Sequence, residues 1–233
     1  MPEEMEIEAR ILMDGYRKTN DPNRYYMSLL YYCKALKKQG KDYQKQIVLL
    51  KDYRKYVIKY HDLDRGDFMD EVAITQLAET YYDYGDTANA DLMASEFQQK
   101  MKQRQPCDER IIEAVYKSWL AWYNARRAFD QGDMDTALEE INTAIALSIK
   151  YPGRTESQGL YMREHYELKT KILRIMGIES AAEYSEKQVR EIDAHFVKLR
   201  EMTRQVMAEH GIKPDVKPAE ESTIASSPQT VPQ

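Results

Sequence analysis

The sequence predicts an all-α fold of stacked helical hairpins, and three observations carry that prediction. First, apolar residues recur at spacings of three and four, as on one face of a helix. Leu29, Leu30, Cys33 and Leu36 do so, then Val72, Ile74, Leu77, Ala78 and Tyr81. Val115, Trp119, Trp122, Ala125 and Phe129 repeat the pattern, and Leu168, Ile172, Leu173 and Ile175 repeat it again. Second, each stretch stops at a glycine (Gly40, Gly85, Gly132, Gly177), and these lie 45, 47 and 45 residues apart. Third, strand signals are missing: no sustained apolar/polar alternation is bounded by Asn-Gly or Asp-Gly turns.

The elements follow in order. Residues 3–18 read as an N-terminal helix with Ile7, Ile11 and Leu12 facing inward. Asp21-Pro22 opens the next helix, an oxygen to cap it and then a proline where the missing N–H costs nothing. Hairpin units are predicted at about 22–60, 68–102, 108–150 and 158–193. Each turns at its glycine, which accepts the left-handed backbone that closes a helix. Loops fall at His61–Asp67, at Gln105-Pro106 and at Tyr151-Pro152-Gly153-Arg154. A long last helix runs from about Ser180 to His210, and Gly211 ends it. Along it Val189, Ile192, Phe196, Leu199 and Val206 make a short heptad seam. This closes a repeat domain of residues 1–211. Residues 212–233, with four Pro and little apolar surface, read as a disordered tail.

Two segments carry a family resemblance. Ala78-Glu79-Thr80-Tyr81-Tyr82-Asp83-Tyr84-Gly85-Asp86, followed by Ala90, resembles a tetratricopeptide repeat. So does the run from Ala125 through Gly132-Asp133 to Ala137-Leu138, continuing to Ile141 and Ala144. In that family one small residue precedes the turn glycine by seven and another follows it by five. Here the first column reads Cys33, Ala78, Ala125, Thr170, and the second reads Lys45, Ala90, Ala137, Ala182. One extra residue in Gly40-Lys41-Asp42-Tyr43 would account for Lys45. Ile178 stands where the fourth unit should have Asp, and the period exceeds the family's usual ~34. The resemblance covers about residues 22–193 and implies a right-handed α-solenoid of four TPR-like hairpins.

Composition excludes other classes. The longest apolar run, Ile47-Val48-Leu49-Leu50, is far short of the ~18 residues that span a bilayer. The start, Met1-Pro2-Glu3-Glu4, is acidic where a signal peptide needs a basic start and an apolar core. A cytoplasmic protein is expected. Cys33 and Cys107, 74 positions apart, read as buried apolar thiols in a reducing compartment. No P-loop, G-x-G-x-x-G, G-x-S-x-G or H-E-x-x-H occurs. No His has Glu three residues before it; those places hold Ile58, Met162, Ile192 and Met207. No catalytic residue, metal ligand or cofactor is assigned, and a non-enzymatic chain is expected.

The net charge of -5 conceals a polarity: residues 24–60 carry +8 and residues 61–100 carry -8. Basic residues among tyrosines suit single-stranded nucleic acid. Mutual neutralisation of the adjacent units is the reading preferred, because the acidic unit repels phosphate. Nucleic acid is therefore not the partner expected.

In TPR-like hairpins the first helix of each pair lines the concave face. The resemblance therefore implies groove residues Met27, Leu30, Lys34 and Lys37, then Val72, Thr75, Glu79 and Tyr82. It implies Trp119, Trp122, Arg126 and Phe129 in the third unit and Glu164, Glu167, Lys171 and Arg174 in the fourth. The third set holds both tryptophans, with Arg126 alongside, and aromatic residues with Arg dominate binding hot spots. The same tryptophans also suit a core between units. The Lys/Asn pattern with which some TPR proteins grip a terminal carboxylate is absent. A module that binds a peptide or partner helix is expected. The alternative is a regulatory or sensory module of a bacterial signalling system, dimerising through Val189, Ile192, Phe196 and Leu199.

Overall fold

The computed structural model describes residues 2–60, 69–103, 116–150 and 156–209. Among these residues the chain is all-helical, with no strand. The helices are α1 (Pro2–Lys18), α2 (Pro22–Lys38), α3 (Tyr43–Tyr60), α4 (Met69–Tyr84), α5 (Thr87–Gln103), α6 (Ser118–Asp130), α7 (Met134–Lys150), α8 (Glu156–Ile175) and α9 (Glu179–Glu209). The chain divides into two units, Met1–Val197 and Lys198–Gln233. In the second, the described residues are the end of α9, where Met202 and Val206 are exposed. The expected loops, Cys107 and the expected tail lie outside the described residues.

Within the first unit, side-chain partners fix how the helices run. Tyr56 donates to Asn23, Tyr26 donates to Asp52, and Lys45 reaches the Tyr32 hydroxyl, so α2 and α3 are antiparallel. Lys100 meets Asp70 across α4 and α5, and Ser118 donates to the Ala144 carbonyl across α6 and α7. Arg163 pairs with Asp193 and Arg174 with Glu186, so α8 and α9 are antiparallel too. The first helices of successive hairpins run parallel to one another. Lys37 of α2 meets Glu79 of α4, 42 residues on. Asp83 of α4 meets Arg126 of α6, 43 residues on. Trp122 of α6 meets His165 of α8 one repeat further still. Neighbours thus stand about one sequence period apart, which is what a stack of repeated hairpins requires.

The four turns close alike. The N–H of the residue after each glycine donates to the carbonyl five positions back: Lys41 to Leu36, Asp86 to Tyr81, Asp133 to Ala128, Ile178 to Leu173. Each glycine sits at positive φ, from +64° at Gly40 to +89° at Gly85, the geometry of a Schellman close. The second helix then starts on a cap. Asp86 accepts the Asn89 N–H at 3.2 Å and Asp133 accepts the Thr136 N–H at 3.1 Å. Ile178 has no side-chain oxygen to do this.

Backbone bonds correct the first unit. Ala90, Ala137 and Ala182 donate to Asp86, Asp133 and Ile178, and the matching bond there is Gln46 to Asp42. One residue is inserted, so the small-residue column holds Gln46 rather than Lys45. Gln46, Ala90, Ala137 and Ala182 are all fully buried. The Gln46 amide is accommodated by donating to the Lys41 carbonyl at 2.6 Å. The other column, Cys33, Ala78, Ala125 and Thr170, is buried as expected.

One further expectation is overturned, on α1. The inward residue there is Ala9, packed with Tyr32, Leu36 and Met13. Ile7, Ile11 and Leu12 are left 43%, 47% and 45% exposed. A small residue lets α1 approach α2 closely, and that approach selects the face. On α9, Val189 and Ile192 pack against the chain's own core and Phe196 is buried. All three thus face this chain's own core at least in part, and the Leu199 side chain lies outside the described residues.

Candidate functional site

The parallel row α2–α4–α6–α8 carries a connected set of charges and rings. Glu79 and Asp83 stand one turn apart on α4, and Trp122, Arg126 and Asp130 stand one turn apart on α6. The Lys37 ammonium ion-pairs with Glu79 and lies 3.8 Å from Asp83. Arg126 bonds Asp83 at 2.8 Å, and its guanidinium lies 4.3 Å from the Tyr82 ring centre and 5.0 Å from that of Trp122. Tyr82 donates to Asp130 and to the Arg126 carbonyl. Trp119 donates its indole N–H to Glu79 at 2.7 Å. Glu79 is thus held from two sides, by a cation of the preceding hairpin and an indole of the next.

The electrostatics follow from that geometry. Burial pushes the Glu79 carboxyl upward, but Lys37, the Trp119 hydrogen bond and Arg126 together outweigh it and hold it below the usual carboxylate range. Burial likewise pushes Lys37 down, and Glu79, Glu164 and Asp83 reverse that. Two groups at the same place are not rescued. Burial lowers Lys34, with Glu79 offsetting it only in part. Burial raises Glu164, and Lys37, pulling the other way, does not outweigh it. Lys37 of α2 therefore acts on Glu164 of α8 as well as on its immediate neighbour α4. Lys34 and Glu164 make no direct ion pair among the described residues.

The structure brings together six of the ten residues expected to line a groove: Lys37, Glu79, Tyr82, Trp119, Trp122 and Arg126. Lys34 faces the same charges. The manner differs from expectation. Trp119 and Trp122 are only 4% and 5% exposed, so they are wall and core rather than open groove. Trp119 is wedged edge-on against Phe97 of α5 and stacks on Tyr123. Burying two such large apolar surfaces between hairpins is strongly favourable. Glu79 and Tyr82 are buried too. Phe129 packs partly against the core. Lys171 and Arg174 are exposed, and Arg174 turns to Glu179 and Glu186 beyond its own turn. Asp83 and Asp130 were missed; the available signal was their spacing of four from Glu79 and Arg126.

Neutralisation between the first two units is real but partial. Lys37 reaches Glu79 and Asp83, and Arg54 reaches Asp70 and Glu96. Cys33 is a buried thiol pushed up to about 12 by burial. Among the described residues no His, Cys, Asp and Glu side chains group to hold a metal, and no helix is long and apolar enough to cross a membrane.

What fold and site define is an all-helical chain of repeated hairpins with a charged row along α2–α4–α6–α8. No family model matches the chain, and no curated protein matches it in sequence.

Proposed function

We propose that the chain is a right-handed α-solenoid of TPR-like hairpins that acts as a non-enzymatic interaction module, taking a peptide or partner helix along the row α2–α4–α6–α8. The observation that supports this reading is the continuity of that row: ion pairs and ring contacts link its helices laterally at one-repeat spacing. Repeats stacked this way offer an extended surface of fixed geometry. Lys34 and Glu164, desolvated and without an ion pair among the described residues, are the groups with most to gain from a ligand. Exposed Lys171 extends the same row. A partner carrying both signs of charge suits these residues.

The buried tryptophans are the wrong place to test this, since removing either opens the core. The test uses Lys34→Gln and Lys171→Glu. A partner recovered from native lysate, purified and titrated, should bind the double variant at least tenfold more weakly. Helical content and denaturation midpoint should stay unchanged. Equal affinity in a folded variant overturns the assignment of this row.

A further inference from the structure

On the side of α4 opposite the charged row lies a second feature. Leu77 and Tyr81 are offset from Glu79 and Asp83 by about half a helical turn. They form the floor of an open cleft of about 370 Å³, between α3 and α5. Met93 of α5 and Ile58 of α3 complete the apolar lining, and Lys51, Arg54 and Lys55 form the rim. Arg54 is neutralised by Asp70 and Glu96. Lys51 lies over the Tyr81 ring, 5.6 Å from its centre. Lys51 and Lys55 make no ion pair among the described residues. The cleft is therefore an apolar floor whose rim carries two lysines with no ion pair among the described residues.

The chain itself carries the complement. The exposed face of α1 presents Ile7 and Ile11 on adjacent turns, with Leu12 beside them. Glu3 and Glu8 are exposed and flank that ridge on either side, and Arg10, exposed on the Glu3 side, reaches Glu6 of its own helix at 4.0 Å. With Arg10 turned to Glu6, a helix with an apolar ridge and net acidic flanks matches an apolar trough with basic edges in both shape and sign. Helix-in-groove docking uses this combination. The α1 helix packs on α2 through its opposite face, at Ala9, so its own fold leaves the ridge free.

We propose that α1 of one copy docks in the α3–α5 cleft of a second copy, with Ile7 and Ile11 on the floor and Glu3 and Glu8 toward Lys51 and Lys55. This interaction is separate from the charged row. Its two surfaces differ, so the contact is head-to-tail: each pair keeps one free α1 and one free cleft, and growth continues. One helix face in a short cleft buries less than a standard interface. The association is accordingly weak, and salt screens its charges.

Two variants of the full chain test it. Ile7→Asp with Ile11→Asp removes the ridge, and Lys51→Glu with Lys55→Glu inverts the rim. All four positions are exposed, so both variants should keep wild-type helicity. In light scattering at low salt, the wild-type mass should climb past a dimer with concentration and fall back on adding salt. Each variant alone should stay monomeric. An equal mixture of the two should form a dimer and stop there, because each molecule retains the half the other lacks. A monomeric wild type, or a mixture that does not associate, overturns the proposal. So does a dimer that neither variant weakens, which places the contact elsewhere. A monomeric wild type that binds an unrelated acidic amphipathic peptide in the cleft gives the cleft to a different partner and likewise overturns it.

Discussion

His165 shows how strongly one residue can be governed by its surroundings. It lies on α8 against Trp122, and its buried Nδ1 meets no hydrogen-bond partner among the described residues. Burial pushes the imidazole down to about 4, against ~6.5 in an unfolded chain. Between those values the unfolded chain takes a proton that the folded chain refuses. Stability should therefore fall as pH drops from ~6.5 toward ~4, by about 3 kcal/mol in all. His165→Leu should flatten this slope between about pH 7 and 5, above the carboxylate range. Denaturant midpoints across that window decide it, and parallel slopes in both proteins would refute the assignment. The sequence held no sign of this behaviour. His165 sits on an amphipathic helix like any surface histidine, and its burial comes from Trp122, 43 positions away.

At the scale of the element, the turns were the most legible part of the chain. Each needs a left-handed backbone that only glycine adopts without strain, so the glycines mark them in any context. The side-chain cap that follows the second and third turns is equally local. Asp86 and Asp133 supply it, and the fourth unit lacks it, because Ile178 stands at the equivalent place. Ile178→Asp should let the carboxylate accept the Ala181 N–H, stabilising the protein by about 1 kcal/mol. Ile178 is already 40% exposed, so little packing is lost. The melting temperature should rise by roughly 2–4 °C; an unchanged or lower value means that α9 starts differently. Spacing points to an extra residue after Gly40, but placing it between Gly40 and Asp42 took the Gln46-to-Asp42 hydrogen bond.

For the first unit as a whole, order should be graded by burial. Helix α4 is buried at Asp70, Glu71 and continuously from Ala73 to Tyr82, held by hairpins on both sides. Helix α1 covers α2 mainly through Ala9 and the half-buried Met13. Hydrogen exchange should thus be slowest in α4 and much faster in α1, since exchange follows the cost of opening each part. Equal rates in the two would mean that the stack opens as one block. The charge polarity acts at this scale too. Lys37 and Arg54 join the first hairpin to the second, whereas Lys51 and Lys55 are exposed on α3.

The sequence by itself determined that the chain is helical, where its hairpins turn, and with what period they recur. Helical spacing, glycine conformation and side-chain caps act within a few residues, so their signals sit close together in the chain. Tertiary structure decided which face of each helix is used. Trp119 and Trp122 have the spacing for either a groove or a core. The choice fell to Glu79, Phe97 and His165, which meet them only after folding. On α1 the three larger apolar residues lost the interior to Ala9, because close approach to Tyr32 and Leu36 favours a small side chain. Periodicity says that a helix has an apolar face, and the neighbours that decide how it is buried come from one repeat away.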